Sequence, residues 1–375
     1  MRRTHKGILV NPRVWVICER RMRFERVAIA SIGYEVPPLE LTSAAIEDAL
    51  AAVYDRLGLH RGRLELMTGI RSRRYWPGEV LPSTIATAAG RNALTRGGVP
   101  IDRIGCLIHA SVCRDFLEPA TANSVHNALG LAPTATVFDL SNACLGVMNA
   151  MIMVANMIEL GQIEAGLVVA GENGKPLVDA TIERLVDDRT LTRKSIKGSI
   201  ASLTIGSGAA AVLLASTDLC PKGHRLQTAS VRAATEHNEL CRGGDAGAGH
   251  VPQDAGVSTG SNLDMNTDAE ALLMAGLDLA EANWTNFRRH SEWASPDRVV
   301  THQVGRAHHT ALSERLGFDP ESAFVTFDRL GNMGSVSLPM TLGMAVDEGF
   351  VRAGHTVGLL GIGSGLSSVM MGVEW

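Results

Sequence analysis

Three segments recur in the same order at almost one spacing, and this limits the fold more than any other feature. Asp102-Arg103, opening a strand that ends in His109, returns as Asp297-Arg298 before a strand that ends in His302, an offset of 193 to 195 residues. Phe138-Asp139 returns as Phe327-Asp328, an offset of 189. Gly166-Leu167-Val168-Val169-Ala170-Gly171 returns as Gly358-Leu359-Leu360-Gly361-Ile362-Gly363, an offset of 192. Each pair reads as the same type of element. Matches in register point to a duplicated unit. Short apolar runs alternate with helical patterns, so the unit is α/β. The expected halves are residues 22–218 and 219–375.

Two stretches fall outside the repeat. The first 26 residues hold eight Lys/Arg and two Glu, with apolar pieces broken by Asn11-Pro12-Arg13. No continuous signal-peptide core forms there, and residues 1–21 are expected to lie outside the fold. Residues 243–262 are rich in Gly, Ala, Asp and Ser, which predicts a flexible insert without a share in the core.

Bulk properties exclude several classes. The net charge of −4 gives no support for nucleic-acid binding. No apolar run reaches the roughly 18 residues that span a membrane. The six cysteines are irregularly spaced without a C-x-x-C pair. They predict reduced thiols in the cytoplasm, with neither a disulfide framework nor a zinc site.

Five places carry residues suited to chemistry. Val137 to Gly146 reads as a strand end, a tight turn and the start of an apolar helix. With Asn142 as the cap, Cys144 falls in the first helical turn, where free N–H groups and the helix dipole favour a thiolate. His302 ends the strand that echoes the His109 strand. Its neighbours His308 and His309 fit no zinc spacing. Asn332, in Gly331-Asn332-Met333-Gly334-Ser335, sits on the turn opposite Cys144 and has an amide able to donate to an oxyanion. Gly361-Ile362-Gly363-Ser364-Gly365 is followed by a closing strand, not a helix, so it is no dinucleotide loop. Glycines there let backbone N–H groups approach a substrate carbonyl. Gly174-Lys175-Pro176 lacks the Ser/Thr of a Walker loop. Glu118, flanked by Phe116, Leu117 and Pro119, is a candidate base in apolar surroundings. Taken singly, each has a plainer reading: a buried thiol, a core histidine, two turns and a solvated acid.

Together these motifs resemble the thiolase superfamily, in its β-ketoacyl synthase III-like branch. The likeness rests on Thr68-Gly69-Ile70-Arg71 with Arg73-Arg74, Ser141 to Gly146, His302-Gln303, Gly331 to Ser335 and Gly361 to Gly365, and runs from about Phe24 to Trp375. Arg114 to Pro119, Ala234 to Gly243 and Ile362 to Leu366 are most similar to members that join two fatty acyl-CoA head to head. The resemblance implies a five-layered αβαβα fold of two duplicated halves, and a homodimer. Cys144 is then the nucleophile, His302 and Asn332 stabilise the enolate oxygen, and backbone N–H groups of Cys144 and Ser364 form the oxyanion hole. Glu118 is the base, donated across the dimer interface. The implied reaction is a non-decarboxylative Claisen condensation of two long-chain acyl-CoA to a 2-alkyl-3-ketoacyl-CoA, without cofactor or metal. The resemblance also implies an olefin, long-chain hydrocarbon or β-lactone type pathway, with downstream enzymes that reduce the ketone and close a β-lactone as partners. The alternatives are a decarboxylating synthase that takes malonyl-ACP, a non-catalytic acyl-binding subunit, and a Cys144–His302 thioester hydrolase.

Overall fold

The computed structural model describes residues 22–243, 265–291, 293 and 295–375. The expected extension at 1–21 lies outside them. So does the expected insert, apart from Gly243.

In the first half the strands run, in chain order, Val27–Glu35, Ile104–His109, Thr136–Asp139, Ala165–Glu172 and Gly208–Ser216. Across the sheet they stand third, second, fourth, fifth, first. From the second strand to the fourth the pairing is parallel, then antiparallel to the fifth and antiparallel again to the first. The second half repeats this. Its strands Arg298–Thr301, Thr356–Gly363, Ser367–Glu374 and His224–Ala233 lie side by side with the same parallel, antiparallel, antiparallel sequence. Ala28 opposite Arg225 and Ile29 opposite His224 join the halves into one ten-stranded sheet. Met22–Arg23, counted above with the first half, pairs instead with Thr228 and Ala229 of the second.

The third strand of the second half is reduced to one parallel bridge, Val299 with Ala323. Phe327–Leu330 is a one-turn helix, so the echo of Phe138-Asp139 is kept in sequence but not in element type. Gln303 explains the change. Its Oε1 accepts from the Thr326 and Phe327 N–H groups at 2.8 and 3.1 Å, capping the turn where a strand would need a ladder partner.

Side chains alternate across each strand, so each sheet buries two faces. Cys106, Ile108, Val168 and Val212 point toward the Gly146–Glu159 and Ser337–Asp347 helices, which lie between the half-sheets. Leu107, Leu167, Val169 and Leu213 point the other way, under the Pro82–Gly97 and Thr121–Leu129 helices. Ala269–His290 and Arg306–Leu316 cover the far face of the second half, where Val299, Leu360 and Met370 are buried. The result is five alternating layers, α, β, α, β, α. The amphipathic pattern from Ser43 to Leu57 predicts one helix, but it is broken at Leu50 into Ser43–Ala49 and Ala51–Leu57, with Thr42 Oγ1 capping the first at Ala45 N–H. Among the described residues, no helix is long and apolar enough to cross a membrane.

Candidate active site

The Thr136–Asp139 strand delivers the chain to the Cys144 turn. Asp139 anchors its end, accepting from the Thr121 and Ala122 N–H groups at 2.9 and 2.8 Å. Two bonds close the turn: Leu145 N–H to the Asn142 carbonyl (2.9 Å) and Gly146 N–H to the Ala143 carbonyl (3.2 Å). Ala143 is forced to φ +44°, a left-handed conformation that costs an L-residue about 1–2 kcal/mol. The helix begins at Gly146, so Cys144 precedes it by two residues. Asn142 does not cap it; its Nδ2 donates to Asn149 Oδ1 at 2.7 Å. Gly146 cannot carry a side chain, because a Cβ there would stand 2.4 Å from the Ala110 carbonyl oxygen.

The thiolate expectation fails for this state of the site. Burial pushes the Cys144 thiol up to about 12, and Glu172 adds to the rise. A helix N-terminus two residues away does not offset lost hydration. Burial also lowers His302 to about 3, with His308 adding to the effect. The resting pair is a neutral thiol and a neutral imidazole.

His302 follows the Arg298–Thr301 strand, and its N–H donates to the Leu360 carbonyl at 3.0 Å. Its Nδ1 is buried without a partner. Asn332 is held on both sides of its backbone, by the Thr204 carbonyl and the Gly206 N–H at 2.9 Å each. Its Oδ1 accepts from Gly334 N–H at 3.0 Å and Ser337 Oγ at 3.4 Å. The carbonyl end of the amide is thus consumed internally, which leaves the NH₂ end as the donor for a substrate oxygen. Gly361 and Gly363 are required by packing. A Cβ on Gly361 would stand 2.3 Å from Met148 Sδ, and one on Gly363 would stand 3.0 Å from Leu145 Cγ. They let the strand that ends before Ser364 press onto the Cys144 turn.

Cys144, His302, Asn332, Ser364 and Glu118 all open onto one cavity of about 2210 Å³. Glu118 lies at its exposed edge. Phe116 and Leu117 are exposed too, so within one chain they do not give the acid the apolar enclosure expected of them. Cavity residues not singled out as site residues in the sequence include Cys113, Cys241 and Glu172. Glu172 had a visible signal, a lone acid ending the all-apolar run Ala165 to Gly171.

Comparisons with known proteins agree with this arrangement. Residues 138–234 match the 3-oxoacyl-[acyl-carrier-protein (ACP)] synthase III family, residues 289–375 match its C-terminal family, and residues 66–181 match the thiolase N-terminal domain. An acyl-CoA:acyl-CoA alkyltransferase of Shewanella oneidensis is 39% identical over 360 residues, covering 94% of this chain and 100% of that protein. A second, from Xanthomonas campestris, is 38% identical over 357 residues, again covering 94% and 100%. The crystal structure of X. campestris OleA with a cysteine replaced by serine, with bound lauric acid and lauroyl-CoA, superposes with TM-score 0.86 at 36% identity, covering 94% of this chain and 100% of that one. A cerulenin-bound form of the same enzyme gives 0.87 at 37%, covering 94% and 98%. The chain belongs to the OleA-like, synthase III-related condensing enzymes of the thiolase superfamily.

Proposed function

We propose that this chain joins two long-chain acyl-CoA by non-decarboxylative Claisen condensation, giving a 2-alkyl-3-ketoacyl-CoA and free CoA. The observation that carries the reading is one cavity of about 2210 Å³ shared by a nucleophile, oxyanion donors and a carboxylate. Small-molecule sites usually occupy about 300–1,000 Å³. The extra space suits two acyl chains, and relatives of 38–39% identity are named acyl-CoA:acyl-CoA alkyltransferases.

In the first half-reaction, neutral His302 takes the Cys144 proton as the sulfur attacks the first thioester. Cys144 and Ser364 N–H groups receive the oxyanion. The acyl group moves to sulfur, and CoA leaves with the proton. In the second, Glu118 removes the α-proton of another acyl-CoA. The NH₂ of Asn332 and His302 stabilise the enolate oxygen, the α-carbon bonds to the acyl carbon, and Cys144 departs. Glu118 is assigned to the partner subunit of a homodimer, which the exposure of Phe116, Leu117 and Glu118 favours. Covering them gives the acid its apolar enclosure. The scheme needs no cofactor beyond the CoA thioesters. All five cysteines identified as free among the described residues suit a reducing compartment such as the cytoplasm. An enzyme that reduces the ketone is the expected consumer of the product.

The test is product analysis with long-chain acyl-CoA alone. Condensed product and CoA release without a malonyl donor are expected. Product only on adding malonyl-ACP, free fatty acid only, or no acyl adduct on Cys144 would each defeat the reading. Glu118→Ala should still acquire the acyl group on Cys144 but make no condensed product.

A further inference from the structure

A carboxylate that no step above employs lies in the same cavity. Glu172 ends the Ala165–Glu172 strand, in which every residue is buried. Its side chain accepts four hydrogen bonds. Oε1 receives the Val112 N–H at 2.9 Å, the Ser335 N–H at 3.2 Å and the Ser335 hydroxyl at 2.6 Å. Oε2 receives the Cys113 N–H at 3.2 Å. Four donors, three on Oε1 and one on Oε2, favour the ionised carboxylate, which accepts and cannot donate. None of these donors is cationic: burial raises the Glu172 carboxyl above its ordinary value, and the hydrogen bonds from Ser335, Val112 and Cys113 oppose that rise by favouring the ionised form.

The donors come from both sides of the site. Val112 and Cys113 begin the loop that carries Glu118. Ser335 stands three residues beyond Asn332, and Gly334 between them, at φ +59°, lies so close that a Cβ would meet Glu172 Oε1 at 3.2 Å. A second tie braces the clamp from behind. The Gly171 N–H donates to Ser111 Oγ at 2.7 Å, and that hydroxyl lies 3.0 Å from His109 Nε2. The residue before Glu172 is thus fastened to the residue before Val112. The carboxylate also shares the cavity lining with the nucleophile, and after burial Glu172 is the largest influence raising the Cys144 thiol.

We propose that Glu172 is a positioning residue with two effects: it clamps the Glu118 loop to the Asn332 turn, and it sets a fixed negative charge that opposes the Cys144 thiolate. The first effect rests on the condensation proposed above. The second is independent of it.

Two variants of the full chain separate the effects. The charge is read without acyl-CoA, from the pH dependence of Cys144 alkylation by iodoacetamide, located by peptide mass spectrometry. Glu172→Gln keeps the shape and removes the charge, so alkylation at a given pH should rise about tenfold, one pH unit of displacement. Glu172→Asp keeps the charge but is a methylene shorter. Its alkylation profile should match wild type, whereas condensation should fall about 100-fold because the two loops are no longer held in register. Acylation of Cys144 by acyl-CoA should persist in it. A Glu172→Gln profile that overlays wild type overturns the charge claim. Wild-type condensation by Glu172→Asp overturns the clamp, and carries the decision alone should Glu172→Gln not fold. If the wild-type chain makes no condensed product at all, the reaction assignment fails while the alkylation arm still decides the charge claim.

Discussion

Replacing Gly146 by alanine tests whether the Cys144 turn is seated by direct backbone contact. The added Cβ would stand 2.4 Å from the Ala110 carbonyl oxygen and 3.1 Å from its carbon. An ordinary contact lies near 3.5 Å, so one backbone must retreat by about 1 Å. Neither side yields easily. The Ala110 N–H is bonded to the Val169 carbonyl at 2.8 Å, and Gly146 begins a helix with nine buried residues. Overpacking of this kind costs about 1–3 kcal/mol. For a chain of this size that lowers Tm by about 1–4 °C. The effect on chemistry should be larger, because Cys144 lies two residues away on a turn already strained at Ala143. A displacement of about 1 Å at a reacting atom can cost 100-fold in rate. The assay is single-turnover CoA release from acyl-CoA beside a thermal melt, with wild type in parallel. A loss of roughly 100-fold with a Tm drop of a few degrees is expected. If Gly146→Ala acylates Cys144 at the wild-type rate and melts at the wild-type temperature, the contact does not seat the nucleophile.

Three further outcomes follow from the same geometry. With the thiol pushed up to about 12, alkylation of free Cys144 should climb about tenfold per pH unit and still be rising at pH 9; a plateau below pH 8 would mean that a resting thiolate–imidazolium pair exists. His302 and His109, lowered by burial to about 3 and about 4, stay neutral in the fold but titrate at their ordinary value once unfolded. Protons therefore favour the unfolded chain as pH falls below about 6.5, each histidine removing on the order of 3 kcal/mol by pH 4, and a urea midpoint unchanged between pH 7 and pH 4.5 would contradict this. Ala143→Gly relieves a left-handed residue but frees the unfolded chain, so stability should change by less than about 1 kcal/mol while the acylation rate falls; a gain in acylation rate would show that the strain is not needed to hold the thiol.

The architecture was legible because duplication leaves its mark on sequence order. Gly166 to Gly171 and Gly358 to Gly363 occupy equivalent central strands, and His109 and His302 end equivalent neighbours. The echo of Phe138-Asp139 misled, because the identity of two residues cannot reveal that Gln303 supplies a cap from elsewhere. Gathering Cys144, His302 and Asn332 was legible for the same reason as the fold: opposed turns of a repeated unit face each other. The ionisation of Cys144 was not. A reading along the chain sees the helix that follows it, whereas its burial and the Glu172 charge come from segments nearly thirty or more residues away. The break at Leu50 was hidden too, since both helices share one apolar face over the core that holds Ile46, Leu50 and Val53.

A high proton affinity at Cys144 fits the proposed reaction better than the thiolate read from the helix start. The cysteine must act twice, first as nucleophile and then as leaving group. In the first step a neutral imidazole can take its proton only as the S–C bond forms, and CoA carries that proton away. Reactivity is then confined to the moment when a thioester occupies the cavity, and the free thiol resists adventitious alkylation and oxidation. In the second step Glu118 gains the α-proton, and Cys144, a poor leaving group as a bare thiolate of high proton affinity, departs best as it takes up a proton. The enzyme returns to its starting state only when that proton reaches the sulfur. A thiol pushed up to about 12 takes it readily, and a carboxylate at Glu172 strengthens that preference. Opposing the thiolate thus slows the resting nucleophile but drives the cycle to close, which gives a buried charge in the same cavity a use beyond holding two loops together.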